Sequence, residues 1–89
     1  MPLLTKEVQD LAISHINRIH AIHPELGSYL TERVKREKTD ENILNIFKNI
    51  DQVILNRGLV LSDDDKKKVI EISQQFLNED ICQQRQQDH

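Results

Sequence analysis

Three of the four histidines lie within residues 15–23 and are potential metal ligands. His20 and His23 are three positions apart, and side chains at that spacing share a helix face and can share a metal ion. His15 points about 140° away from His20 on an ideal helix. Because the sequence fixes no further ligand beside this pair, we predict no metal site and no cofactor. His20 and His23 remain the candidate ligands of an alternative, metal-responsive protein.

Cys82 is the only cysteine in the chain and therefore the only candidate thiol nucleophile. A reactive thiol needs a nearby base and an electropositive environment that stabilises the thiolate. Cys82 instead follows Glu79 and Asp80, whose negative charges raise the pKa of a neighbouring thiol. We therefore predict that the protein is not an enzyme. A chain with one cysteine has no internal disulfide partner, which is typical of a reducing compartment.

Four basic residues in the second predicted helix could contact nucleic acid: Arg33, Lys35, Arg36 and Lys38. They point in several directions around the helix, and Glu32 lies among them. The whole chain carries 12 Lys and Arg against 15 Asp and Glu, a formal net charge of −3. That balance does not favour nonspecific attraction to phosphates. A nucleic-acid-binding regulator is therefore our alternative prediction rather than the first one.

The elements that position these residues are helical, because apolar residues recur at helical spacing along the whole chain. Two glycines are too few for a fold of strands and tight turns. The pattern predicts an all-α protein, a small four-helix bundle with short connections. Its predicted helices cover about 6–22, 25–37, 40–57 and 63–82. Residues 83–89 lack apolar side chains, so we predict one helical domain over 1–82 followed by a frayed, disordered tail.

Capping residues mark the ends of these predicted helices. Thr5, Thr39 and Ser62 each precede a helical segment and can accept a hydrogen bond from its first turn. The acidic run 63–65 suits the positive end of the fourth helix and not calcium, because an EF-hand needs its ligands at alternate positions. Gly58 is expected to end the third helix in the left-handed conformation, with Leu59 as the accompanying hydrophobic contact.

The predicted core is aliphatic, with Phe47 and Phe76 as its two large anchors. In the connection before the fourth helix, Leu59, Val60 and Leu61 are expected to pack inwards. Three consecutive exposed apolar residues would be unusual in such a short connection.

Some apolar residues lie at the edges of the main helix stripes or outside them, where a partner could cover them. These residues are Ile13, Leu44, Leu55, Ile70 and Ile81. They favour a non-enzymatic protein–protein interaction module: an adaptor, an inhibitor or immunity-type protein, or a regulatory domain. Its partner would be another protein or a second copy of the chain, bound through an apolar helix face.

Length and composition favour a small soluble domain in the cytoplasm. No apolar run approaches the ~20 residues that a membrane-spanning helix needs. The first residues lack the basic segment and long apolar run of a secretory signal. We therefore expect no membrane contact, and no small-molecule substrate is evident. The abundance of Ile, Asn, Gln and Lys is typical of A·T-rich bacterial genomes.

Overall fold

The computed structural model describes residues 4–87, and the regular structure in this part of the chain is entirely helical. Its helices are α1 (Lys6–Ile22), α2 (Pro24–Arg36), α3 (Asp40–Lys48), α4 (Ile50–Asn56), α5 (Asp63–Leu77) and α6 (Asp80–Gln87). The all-α prediction is confirmed, whereas the predicted four helices become six within the described residues. None of these helices is both long enough and apolar enough to cross a bilayer.

The predicted helix 40–57 divides at Asn49 into α3 and α4. Asn49 has φ −111° and ψ 31°, away from helical values. Its side-chain amide donates to the carbonyl of Asn45 at 2.9 Å, and its backbone N–H donates to the same carbonyl at 3.1 Å. An asparagine side chain that bonds nearby backbone competes with regular helix geometry. Neither Gly nor Pro marks this break in the sequence, so periodicity alone predicts a continuous helix.

The predicted helix 63–82 also divides, at Asn78 and Glu79, into α5 and α6. Where the sequence predicts a frayed tail, the structure continues α6 to Gln87. The side chain of Gln83 donates to the carbonyl of Leu77 at 2.9 Å, at the end of α5. Polar contacts thus order a segment without apolar residues. Residues 88 and 89 of the predicted tail lie outside the described residues.

The predicted helix caps are present. Thr5, Thr39 and Ser62 each accept a hydrogen bond from the backbone N–H three residues further on, at 3.1–3.4 Å. Each bond satisfies one of the N–H groups that the first helical turn leaves free. The sequence therefore locates the starts of α1, α3 and α5 correctly.

Gly58 ends α4 as predicted. Its φ is +64°, and its N–H donates to the carbonyl of Leu55 at 3.0 Å. The N–H of Leu59 donates to the carbonyl of Ile54 at 3.2 Å, which completes a Schellman motif. Leu59 then packs against the core as the accompanying hydrophobic contact.

A single residue, His23, connects α1 and α2. Its N–H donates to the carbonyl of Ile19 at 2.9 Å and so ends α1. Its ring Nδ1 accepts a hydrogen bond from the N–H of Leu26 at 3.1 Å and so caps α2. Pro24 follows at the first position of α2, where the missing N–H costs nothing. With one residue serving both helices, the direction of α2 relative to α1 is closely constrained.

Gly27 allows α1 and α2 to approach closely. A Cβ atom placed on Gly27 would lie 2.5 Å from the Cβ of His20 and 2.6 Å from its Cα. The conflict involves backbone, so it cannot be relieved by rotating a side chain. Gly27 is therefore required for close packing between α1 and α2.

The core is built around Phe47 of α3 and Phe76 of α5, as predicted. Their ring centroids are 4.3 Å apart, and His15 of α1 meets the Phe76 ring edge-on at 5.6 Å. Aromatic pairs at such distances and tilts are favourable beyond their burial. Aliphatic side chains from α1, α2, α3 and α5 with no exposed surface surround the pair: Val8, Ile16, Ile19, Leu26, Leu30, Val34, Ile43 and Val69.

We predict that Gly27→Ala lowers the free energy of unfolding by about 1–3 kcal/mol, the usual cost of overpacking. Alanine is the better helix former by ~1 kcal/mol, so helix propensity alone predicts the opposite sign. Urea denaturation followed by circular dichroism measures the effect. Ser28→Ala is the matched control, because Ser28 is the next residue of the same helix and is exposed. A Gly27→Ala protein as stable as the wild type would show that α1 and α2 are further apart.

Candidate functional site

The residues of the predicted docking surface lie in three different environments. Leu44 is 2% exposed and belongs to the core, whereas Leu55 is 72% exposed. Ile13, Ile70 and Ile81 are partly buried and pack against the core from α1, α5 and α6. Leu55 is therefore the one member of this set whose side chain is freely available to a partner.

A second exposed apolar residue follows Leu55 in the connection between α4 and α5. Val60 is 88% exposed, while its neighbours Leu59 and Leu61 are partly buried and line a shallow depression together with Leu55. The expected packing of this connection is correct for Leu59 and Leu61 and wrong for Val60. Consecutive side chains of a non-helical segment point to different sides, so the three cannot all face the core. We call Leu55, Leu59, Val60 and Leu61 the apolar corner.

The depression at the apolar corner has a volume of about 180 Å³. Ile54 completes its apolar lining, and Asp51 and Lys66 also line it. The Nζ of Lys66 lies 3.6 Å from a carboxylate oxygen of Asp51, and both side chains are exposed. Apolar groups beside charges of both signs resemble the usual arrangement of a protein-binding surface.

The basic cluster at the end of α2 and just beyond it is partly committed to contacts within the chain. Arg33 donates a hydrogen bond to the hydroxyl of Tyr29 at 3.0 Å, which fixes its direction along the helix. Lys35, Arg36 and Lys38 are exposed. The four residues therefore do not act as a single array of free cations.

His15 and His23 use their rings in contacts within their own chain. His15 is 9% exposed, and its Nδ1 donates to the carbonyl of Leu11 at 3.0 Å. His20 is exposed, whereas His23 uses its Nδ1 to cap α2. Within residues 4–87, no group of three or more His, Cys, Asp or Glu side chains is arranged to hold a metal ion.

Cys82 lies in the core with no exposed surface. Burial raises the pKa of its thiol to about 12, and the negative charges of Glu79 and Asp40 add to the effect. The sequence predicts the direction of this shift from Glu79, but burial is the larger cause. A thiol with so high a pKa is protonated at neutral pH and is a poor nucleophile.

Asp40 forms a contact that the sequence does not indicate. Its side chain is 1% exposed and accepts three hydrogen bonds: two at 2.8 Å from the N–H and hydroxyl of Thr5, and one at 3.0 Å from the Nε of Arg85. A buried carboxylate with a cation and two neutral donors is a strongly satisfied group. This cluster joins the start of α1, the start of α3 and the end of α6. No spacing rule relates Asp40 to a residue 45 positions away, so only the tertiary structure reveals the pair.

A second depression, of about 420 Å³, lies beside α3 and α4 and is lined mainly by amide side chains. The amides recur at intervals of three and four and so share one helix face: Asn42, Asn45, Asn49, Gln52 and Asn56. This spacing is visible in the sequence and could have identified the stripe. Gln52 donates to Asn56 at 3.0 Å, and Asn49 donates to a backbone carbonyl, so part of the stripe is satisfied internally.

The chain matches no protein-family model, no curated protein and no solved structure. Only the local chemistry of the described residues therefore bears on function. Among them, the apolar corner is the place where the folded chain leaves large hydrophobic side chains exposed to water.

We predict that ionisation of Cys82 destabilises the protein at high pH. In the unfolded chain the thiol ionises near its ordinary pKa of 9.0, and in the folded protein only near 12. The stabilising contribution is therefore complete below pH 9.0 and is lost as the pH rises towards about 12. Above pH 9.0 the free energy of unfolding of the wild type should fall more steeply than that of Cys82→Ala, by at most about 1.4 kcal/mol per pH unit.

Urea denaturation of both proteins at pH values on either side of this ordinary pKa measures the difference. Cys82→Ala is the matched variant because alanine has no titrating group and fits the buried position. Every other ionisable group is present in both proteins, so its contribution cancels in the comparison. Equal slopes would show that the thiol of the folded protein is in contact with solvent.

Proposed function

We propose that the protein is a non-enzymatic protein-binding module that docks its partner at the apolar corner. The observation that carries this proposal is the exposure of Leu55 and Val60, at 72% and 88%. Within the described residues, Leu55 and Val60 are the large hydrophobic side chains that lie mostly in solvent. The hydrophobic effect favours any contact that removes them from water.

The shape of the apolar corner supports an anchoring contact. A depression of about 180 Å³ beside Leu55 and Leu61 can receive one large aliphatic or aromatic side chain from a partner. Such single anchors, in pockets with a polar rim, carry much of the energy of protein interfaces. Asp51 and Lys66 supply charges of opposite sign at the edge, and these suit a partner segment with its own mixed charges.

The size of the apolar corner favours a transient complex. A stable interface buries about 800 Å² on each partner, which is more than two exposed side chains provide. The partner is another protein or a second copy of the chain. A second copy could pair Asp51 of one molecule with Lys66 of the other, because a two-fold interface presents the same surface twice.

The chemistry of the buried polar groups supports a role without catalysis. Cys82 is protonated and buried, and His15 and His23 direct ring nitrogens at backbone groups. The nucleic-acid alternative through Arg33, Lys35, Arg36 and Lys38 and the metal alternative through His20 and His23 stay predictions. Within residues 4–87, no observation supports either alternative more strongly than protein binding at the apolar corner.

We predict that a double substitution, Leu55→Asp with Val60→Asp, abolishes partner binding and leaves the fold intact. Both side chains project into solvent, so the melting temperature should stay close to that of the wild type. The matched control is Asn17→Asp with Gln74→Glu, which adds the same charge at exposed positions of α1 and α5. Sedimentation equilibrium at increasing concentration tests self-association, and affinity capture from cells of the source organism tests other partners.

The proposal requires an association that the apolar-corner variant loses and the control retains. A wild-type dimer that becomes monomeric in the variant identifies a second copy as the partner. Association that is equal in all three proteins would place the docking surface elsewhere. A wild type that neither self-associates nor captures a protein would overturn the binding function itself.

A further inference from the structure

The turn between α5 and α6 consists of Asn78 and Glu79 and contains neither Gly nor Pro. Asn78 has φ −86° and ψ −4°, close to helical values, and its N–H still donates to the carbonyl of Gln74 at 2.9 Å. Small changes at these residues would therefore continue α5 directly into α6. The helical pattern of the sequence predicts this continuous form for residues 63–82.

Contacts with the rest of the chain hold α6 in place against α3 and α5. Arg85 donates to Asp40 at 3.0 Å, and Gln83 donates to the carbonyl of Leu77 at 2.9 Å. Cys82 is buried and Ile81 is partly buried. Eight residues are too few for a stable isolated helix, so α6 depends on these contacts.

Most of the buried core of the described chain lies outside α6. Cys82 is the residue of α6 that belongs to the buried core cluster of the described chain. The aromatic pair Phe47 and Phe76 packs between α3 and α5, with His15 of α1 against it. A short element with few buried side chains is the kind that opens before the whole domain unfolds.

Release of α6 leaves Asp40 partly satisfied. The N–H and hydroxyl of Thr5 continue to donate to its carboxylate at 2.8 Å each. The side chain of Arg85 is 29% exposed in the closed form and becomes fully hydrated in the open form. Opening therefore separates a buried carboxylate from its cation, which makes the Arg85–Asp40 pair a strong contact that holds α6 in place.

We propose that α6 is a displaceable strap, hinged at Asn78 and Glu79 and latched by the Arg85–Asp40 ion pair. In the closed form it covers the surface where it packs on α3 and α5. In the open form it exposes this surface and carries Cys82 into solvent. This device is separate from the apolar corner, and its test does not require a binding partner.

Thiol labelling of the full chain tests the proposal, because Cys82 is the only cysteine and reports the position of α6. The rate of reaction with an aromatic disulfide reagent is measured in the native protein at low urea concentrations. We expect the rate to depend on urea much less steeply than global unfolding does, because opening the strap exposes little surface. Arg85→Gln should raise the labelling rate in water about tenfold, since it removes a charge-assisted hydrogen bond.

Arg18→Gln is the matched control for the latch. Arg18 makes an exposed hydrogen bond to Gln75, between α1 and α5, and does not contact Asp40. Cys82 of the Arg18→Gln protein should be labelled at the same rate as in the wild type. Circular dichroism of each variant establishes that the domain remains folded.

Two results would overturn the strap. One is labelling that follows global unfolding in its urea dependence, with Arg85→Gln changing the rate only in proportion to overall stability. The other comes from hydrogen exchange of the wild type and does not depend on any variant. If the amides of α6 exchange only as slowly as those of α5, the helix opens solely with the whole domain.

Discussion

The buried carboxylate of Asp40 is the constraint on which the closure of this fold depends. With 1% of its side chain exposed, it has lost its hydration and requires donors from the protein. Those donors come from Thr5 at the start of α1 and Arg85 near the end of α6. One side chain at the first position of α3 thereby brings both ends of the described chain together. The same negative charge adds to the rise that burial causes in the pKa of the Cys82 thiol.

The parts of the fold that local chemistry determines could be predicted from the sequence. Thr5, Thr39 and Ser62 cap helices because a hydroxyl at those positions satisfies free N–H groups, whatever the rest of the chain does. Gly58 adopts a positive φ for an equally local reason. The breaks at Asn49 and after α5 could not be predicted, because no helix-breaking residue marks them. They arise from side-chain bonds and from tertiary contacts of α6, which periodicity does not encode.

The exposure of the candidate site residues could also be predicted only in part from the sequence. Leu44 and Leu55 are eleven positions apart and would lie on nearly the same face of the continuous helix that the sequence predicts. Leu44 belongs to α3, which packs closely enough on the core to bury it, whereas α4 buries Ile50 and Ile54 and leaves Leu55 exposed. Val60 was expected to pack because its neighbours are apolar, yet only alternate residues of the connection can face inwards. A residue's type thus indicates surplus hydrophobicity, while its exposure depends on how closely its own segment packs against the core.

The single-residue junction at His23 also bears on the order in which the chain folds. The close approach of Gly27 to His20 joins residues only seven positions apart. The hydrogen bonds of His23 reach back four positions to Ile19 and forward three positions to Leu26. Contacts this local require little loop closure, whereas the Asp40–Arg85 pair spans 45 positions. The geometry therefore favours early packing of α1 against α2. The Arg85–Asp40 ion pair that holds α6 would form last. Folding of the chain would proceed from a local nucleus towards closure of its two ends. Mutation at Gly27 would then mainly change the folding rate, and mutation at Arg85 would mainly change the unfolding rate.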